Sequence, residues 1–124
     1  ELRLLHSKKT GALIRAAVLM GVACADNATK TQIEKLDEYA KWTGLAFQVW
    51  DDILDVIGDT AVMGKTQGSD ISLDKSTYPA LLGIDKAKEF AHECAQKAIA
   101  SLKDLYIDTT ILEQFALFAV NRDH

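Results

Sequence analysis

Phe47-Gln48-Val49-Trp50-Asp51-Asp52-Ile53-Leu54-Asp55 puts three carboxylates within five residues of an otherwise apolar stretch. At about 100° per residue, a helix here sets Asp51 and Asp55 one turn apart on the same side. Asp52 falls on the adjoining edge and Gln48 one turn earlier, so the four side chains can reach a common cavity. Phe47, Val49, Ile53, Leu54 and Val56 would hold the rest of the helix in packing. Neighbouring acids need a counter-charge, and a divalent cation such as Mg²⁺ takes one or two carboxylates, several waters and substrate phosphates. A solvated acidic helix face is the competing reading, since a short motif is a hypothesis until its context agrees.

The context lies downstream. Gly64-Lys65-Thr66-Gln67-Gly68-Ser69-Asp70 is followed by Lys75-Ser76-Thr77-Tyr78-Pro79. Acids on a half-apolar helix, then lysines in a polar loop, point to divalent metal and a diphosphate. Either lysine could equally be an ordinary solvated loop residue.

Outward from this block the chain reads as helices. The first is expected over roughly Lys9 to Ala25, stopping at Asp26-Asn27. The second opens near Thr31 and runs to about Ile57, with Ile33, Leu36, Tyr39 and Ala40 at helical spacing and Gly58 at its end. Residues 58–77 read as a loop, of a length that is usually functional or mobile. Ser76 or Thr77 is placed to cap the next helix, with Pro79 in its first turn. After Gly83, Asp85 is placed to cap a helix with Ala87, Phe90, Ala91, Cys94, Ala98, Leu102 and Leu105 on one stripe. Thr109 or Thr110 opens a last helix carrying Ile111, Leu112, Phe115, Phe118 and Ala119. No strand pattern or repeat occurs, so the predicted class is all-α.

Residues 12–24 are apolar nearly all round, with Arg15 the only charge. Such a helix belongs inside a larger protein or in a membrane, and this run is short of the roughly 17–25 residues needed to span one. A buried central helix is expected, with neighbours that the chain need not supply. With 124 residues, 48% of them hydrophobic, and a net charge of −4, the chain has the size of one domain and no basic surface for nucleic acid. Cys24 and Cys94 form no metal spacing and read as core thiols of a reducing compartment. His6, His92 and His124 are not spaced as ligands. Trp42 and Trp50 read as packing residues.

The blocks FQVWDDILD (47–55), GKTQGSD (64–70) and KSTYPALLG (75–83), preceded by HSKKTGALI (6–14), resemble the C-terminal part of the trans-isoprenyl diphosphate synthases. The likeness is greatest to the bacterial short-chain branch, the farnesyl diphosphate synthases or geranyltranstransferases, and runs from about Leu4 to Arg122. It implies the C-terminal helices of an isoprenoid-synthase bundle. It also implies a missing N-terminal part, because that family's first aspartate-rich motif with its arginine pair is absent. Residues 1–124 are thus expected to be the C-terminal part of a single polyprenyl synthetase domain, from a cytoplasmic homodimer without a membrane span.

The resemblance also assigns roles. Asp51, Asp52 and Asp55 become Mg²⁺ ligands, with Asp70 a contact through water. Lys9, Lys65 and Lys75 become diphosphate ligands, while Thr10 and Gln48 turn oxygen dipoles toward an allylic cation. Lys8 acquires no distinct role. Trp50 stands where relatives often carry a polar residue, which leaves the acids intact. The implied reaction ionises an allylic diphosphate with the help of Mg²⁺ and lysines. Isopentenyl diphosphate then attacks C1 of the cation, and proton loss gives an allylic product five carbons longer, in a cavity that excludes water. Two alternatives remain at this level: a non-catalytic helical fragment or subunit, and a class I terpene cyclase, which gives no reason for the lysine-bearing loop.

Overall fold

The computed structural model describes residues 2–23, 27–63, 77–105 and 107–123, with the backbone alone at 2–10, 23 and 59–63. The described residues are helical, without strands. They form α1 (Leu2–Ala23), α2 (Lys30–Met63), α3 (Tyr78–Leu82), α4 (Ile84–Ala100) and α5 (Thr110–Ala119).

α2 opens one residue before the predicted start, on a reciprocal cap. The Thr29 hydroxyl accepts from the Gln32 N–H at 3.1 Å, and Gln32 Oε1 accepts from the Thr29 N–H at 3.0 Å. This capping box satisfies two N-terminal amides, worth about 1 kcal/mol. Gln32 Nε2 also donates to the Leu105 carbonyl at 2.8 Å, tying the helix start to a distant turn. Gly58 does not end α2, which continues to Met63. A glycine inside a helix costs about 1 kcal/mol against alanine, and it stops the helix only where the chain turns left-handed.

That turn occurs at Gly83, where φ is +89°. Thr77 caps α3 as predicted, its hydroxyl accepting from the Ala80 N–H at 3.3 Å, with Pro79 in the first turn. Gly83, not Asp85, then occupies the cap of α4, and Asp85 lies inside the first turn, where its charge favours the helix dipole. α4 ends at Ala100, earlier than its apolar stripe. Leu102 and Leu105 reach the core from the following turn instead, at 4% and 2% exposure. Just ahead of α5 the Asp108 carboxylate accepts from the Thr110 N–H at 3.0 Å.

α2 is the axis of packing. Toward its C-terminal half, Ala46, Val49, Trp50 and Ile53 pack with Ala87, Ala91, Cys94 and Ala95 of α4 and with Val120. Toward its start, Leu36 and Tyr39 pack with Ala98, Leu102, Leu105 and Ala116. Alanines on α4 let the two helices approach closely, and each large side chain removed from water contributes roughly 1.5–3 kcal/mol. The buried Tyr39 hydroxyl donates to the Leu112 carbonyl at 2.7 Å.

α1 lies antiparallel against α2. Arg15, the charge in the apolar helix, pairs with Asp37 at 2.6 Å, and Val18 and Val22 pack beside the Leu36 cluster. The Arg15 guanidinium holds the Asp37 carboxyl below its ordinary range. The expected burial of α1 on all sides is not met within this chain, since Leu13 and Met20 are 70% and 68% exposed. α2 covers one face of a helix whose composition suits two.

Candidate functional site

The acidic block sits in the C-terminal half of α2, on the stripe that begins where α1 crosses. A Cβ added to Gly44 would meet the Gly11 Cα at 3.3 Å, so the two backbones touch there. Gln48, Asp51 and Asp55 follow Gly44 by about one, two and three turns, within an arc of roughly 60°. Because α1 is antiparallel, the residues preceding Gly11 run toward Gln48 and the acids. The backbone at Lys9-Thr10 is thereby brought to the same end of the helix pair. The side chains of Lys9 and Thr10 lie outside the described residues, as do Lys65, Asp70 and Lys75 entirely.

The three acids have different surroundings. Asp51 has a side chain 41% exposed, and Asp55 is exposed. Asp52 is buried, at 5% exposure, because adjacent helix positions diverge by about 100° and its side faces the packed interior. Gln48 is half-buried. Among the described residues no three acidic, histidine or cysteine side chains gather as a metal-ready group. Mg²⁺ does not require one, since it commonly takes one or two carboxylates with substrate phosphates. Asp51 and Asp55, one turn apart and open to solvent, fit that need. A cation already stands at Asp51, whose Oδ1 accepts from Arg122 Nη1 at 3.0 Å.

Arg122 has no motif around it, and its partners on α2 lie more than 70 residues away in sequence, so spacing could not reveal it. Nη2 donates to the Phe47 carbonyl at 3.2 Å and Nε to the Ala119 carbonyl at 3.2 Å. The guanidinium lies 3.9 Å from the Phe47 ring centroid. Its own carbonyl accepts from Trp50 Nε1 at 2.8 Å. Trp50, 8% exposed, is therefore a core residue with its N–H in use, and His92 meets its ring edge-on at 5.5 Å between centroids. Trp42 is likewise partly buried in the core, under the Lys97 ammonium at 4.6 Å. Cys94 is free and buried, whereas Cys24, His6's side chain and His124 lie outside the described residues.

Residues 1–108 match the family model for polyprenyl synthetase. The chain belongs to the polyprenyl synthetase family. Among curated polyprenyl synthetase relatives, it is 50% identical over 122 residues to a farnesyl diphosphate synthase of Escherichia coli (strain K12). That match covers 96% of this chain and 41% of the relative. A farnesyl diphosphate synthase of Haemophilus influenzae is 47% identical over 123 residues, covering 98% of this chain and 41% of the relative. A chloroplastic geranylgeranyl pyrophosphate synthase of Capsicum annuum is 46% identical over 102 residues, or 82% of this chain and 27% of the relative. The chain thus spans about two-fifths of the length of the bacterial synthases it matches. Among the described residues of this polyprenyl synthetase chain, no helix is long and apolar enough to cross a membrane.

Proposed function

We propose that this chain is the C-terminal part of a single-domain trans-prenyltransferase of the farnesyl diphosphate synthase kind. The whole protein would condense isopentenyl diphosphate with an allylic diphosphate to give geranyl or farnesyl diphosphate, as a cytoplasmic homodimer. The observation carrying this reading is the 50% identity to a farnesyl diphosphate synthase over 122 residues.

In this reading Asp51 and Asp55 would hold Mg²⁺, with Asp52 buried beside them, and Asp70 would contribute through water. Mg²⁺ would supply charge neutralisation of the departing diphosphate. Lys9, Lys65 and Lys75 bind and orient that diphosphate. The oxygens of Thr10 and Gln48 are weak nucleophiles and stabilise positive charge at the allylic carbon as it develops. The apolar helix faces exclude water, which would otherwise capture the cation. The chain alone lacks the first aspartate-rich motif and is inactive, because the two substrates cannot be held in reacting orientation.

The test is Asp51→Asn in the longer chain. Adjacent carboxylates repel and Mg²⁺ dehydrates reluctantly, so the site takes metal weakly until a diphosphate arrives. Removing one charge should lower kcat by roughly 10²-fold, the scale for losing one electrostatic contact to the transition state, with a smaller change in KM. An unchanged kcat would remove Asp51 from the metal site.

A further inference from the structure

Resting on that reading of Asp51, we infer that Arg122 is a resident counter-charge at Asp51, and that the metal must compete with it to load. The guanidinium is 8% exposed on its side chain and sits 3.0 Å from Asp51 Oδ1, while the carboxylate remains 41% exposed. The arginine is built in from several sides. The Phe47 and Ala119 carbonyls accept from it, the Phe47 ring lies under it, and Trp50 fixes its backbone carbonyl. Five donors on a planar fork suit this use, and two of the acceptors are helix carbonyls that cannot move without disturbing α2 or the end of α5.

The consequence is a competition of charges. Asp51 shares one helix segment with two further carboxylates, and a fixed monocation at Asp51 offsets its part of their repulsion before metal arrives. The same monocation opposes a dication bound at the free side of Asp51, a few ångströms away. Arg122 is therefore a positioning residue that orients Asp51 and sets the metal concentration at which the site fills. It is not a catalytic residue, since no reacting atom need touch it. Because Asp51 is open to solvent, the repulsion is screened as in water, and removing a unit charge about 6 Å from a dication should then tighten divalent binding on the order of tenfold.

The experiment is titration of the longer chain with Mn²⁺ alone, following the loss of the free-ion electron paramagnetic resonance signal. Arg122→Gln is expected to bind Mn²⁺ about tenfold more tightly than the wild type. Arg122→Lys, which keeps the charge, should stay within about threefold. Equal or weaker binding by Arg122→Gln overturns the inference. Should that variant fail to fold, Trp50→Phe takes its place: it keeps an aromatic side chain but frees the Arg122 carbonyl, and it should also tighten binding, by less. Unchanged or weaker binding in Trp50→Phe then overturns the inference in the same way. Asp51→Asn separates the two levels. If Mn²⁺ binds it as well as the wild type, the metal is not at Asp51, and the site reading fails before Arg122 is at issue.

Discussion

Cys94 illustrates how burial sets the chemistry of a single side chain. It is 1% exposed among α2 and α4 residues, and burial pushes its thiol up to about 11 from an ordinary 9.0, against the opposing pull of Lys97. The unfolded thiol ionises first as pH rises, while the folded one keeps its proton. Stability is therefore intact below pH 9 and lost between 9 and 11, by roughly 2–3 kcal/mol. Burial also raises the Tyr39 phenol, which adds a loss of the same sign starting from a higher pH. Urea midpoints measured from pH 8 to 11 should fall more steeply in the wild type than in Cys94→Ala; parallel slopes would contradict this account. At this scale the sequence revealed what spacing encodes. Asp51, Asp55 and Gln48 share a stripe because the helix period says so, whereas the outcome for Asp52 depends on which side the core occupies. Arg122 meets Asp51 only through tertiary folding.

Elements were legible in the middle and less so at their ends. The α2 stripe and the Thr77-Pro79 start of α3 follow from period and cap chemistry. Gly58 and Asp85 misled for a common reason: each residue type favours a boundary, but packing and backbone conformation decide which candidate is used. Gly44 carries its weight in the α1–α2 crossing. Gly44→Val would force a branched side chain into the Gly11 backbone, 3.3 Å from where its Cβ must lie. A loss of about 2–3 kcal/mol is expected by overpacking. Gly58→Ala meets nothing within 4 Å and should gain roughly 0.5–1 kcal/mol from helix propensity. Chemical denaturation of both variants checks the pair, and opposite signs are required.

For the molecule as a whole, composition anticipated an incomplete burial that the fold displays. Leu13 and Met20 on α1, and Ile111 and Phe118 on α5, are each more than half exposed. An apolar groove of about 640 Å³ also opens at the far end of α2 from the acids, lined by Val18, Val22, Leu36, Ile107 and Leu112 among others. Apolar surface of this extent drives association. The isolated 124-residue chain should therefore be oligomeric or aggregated by light scattering, and without prenyltransferase turnover. A monodisperse monomer that condenses isopentenyl diphosphate with an allylic diphosphate would refute both parts.

The step of seven positions from Gly44 to Asp51 amounts to about two full turns, and this coincidence limits how such a gene can change length. One codon inserted between them would swing every downstream acid by about 100°, away from the start of α1 and from Arg122, while leaving the composition almost untouched. Compensation would need a second insertion or deletion within the same few turns. Substitutions can accumulate through this segment, but its codon count is tied to the geometry of the helix.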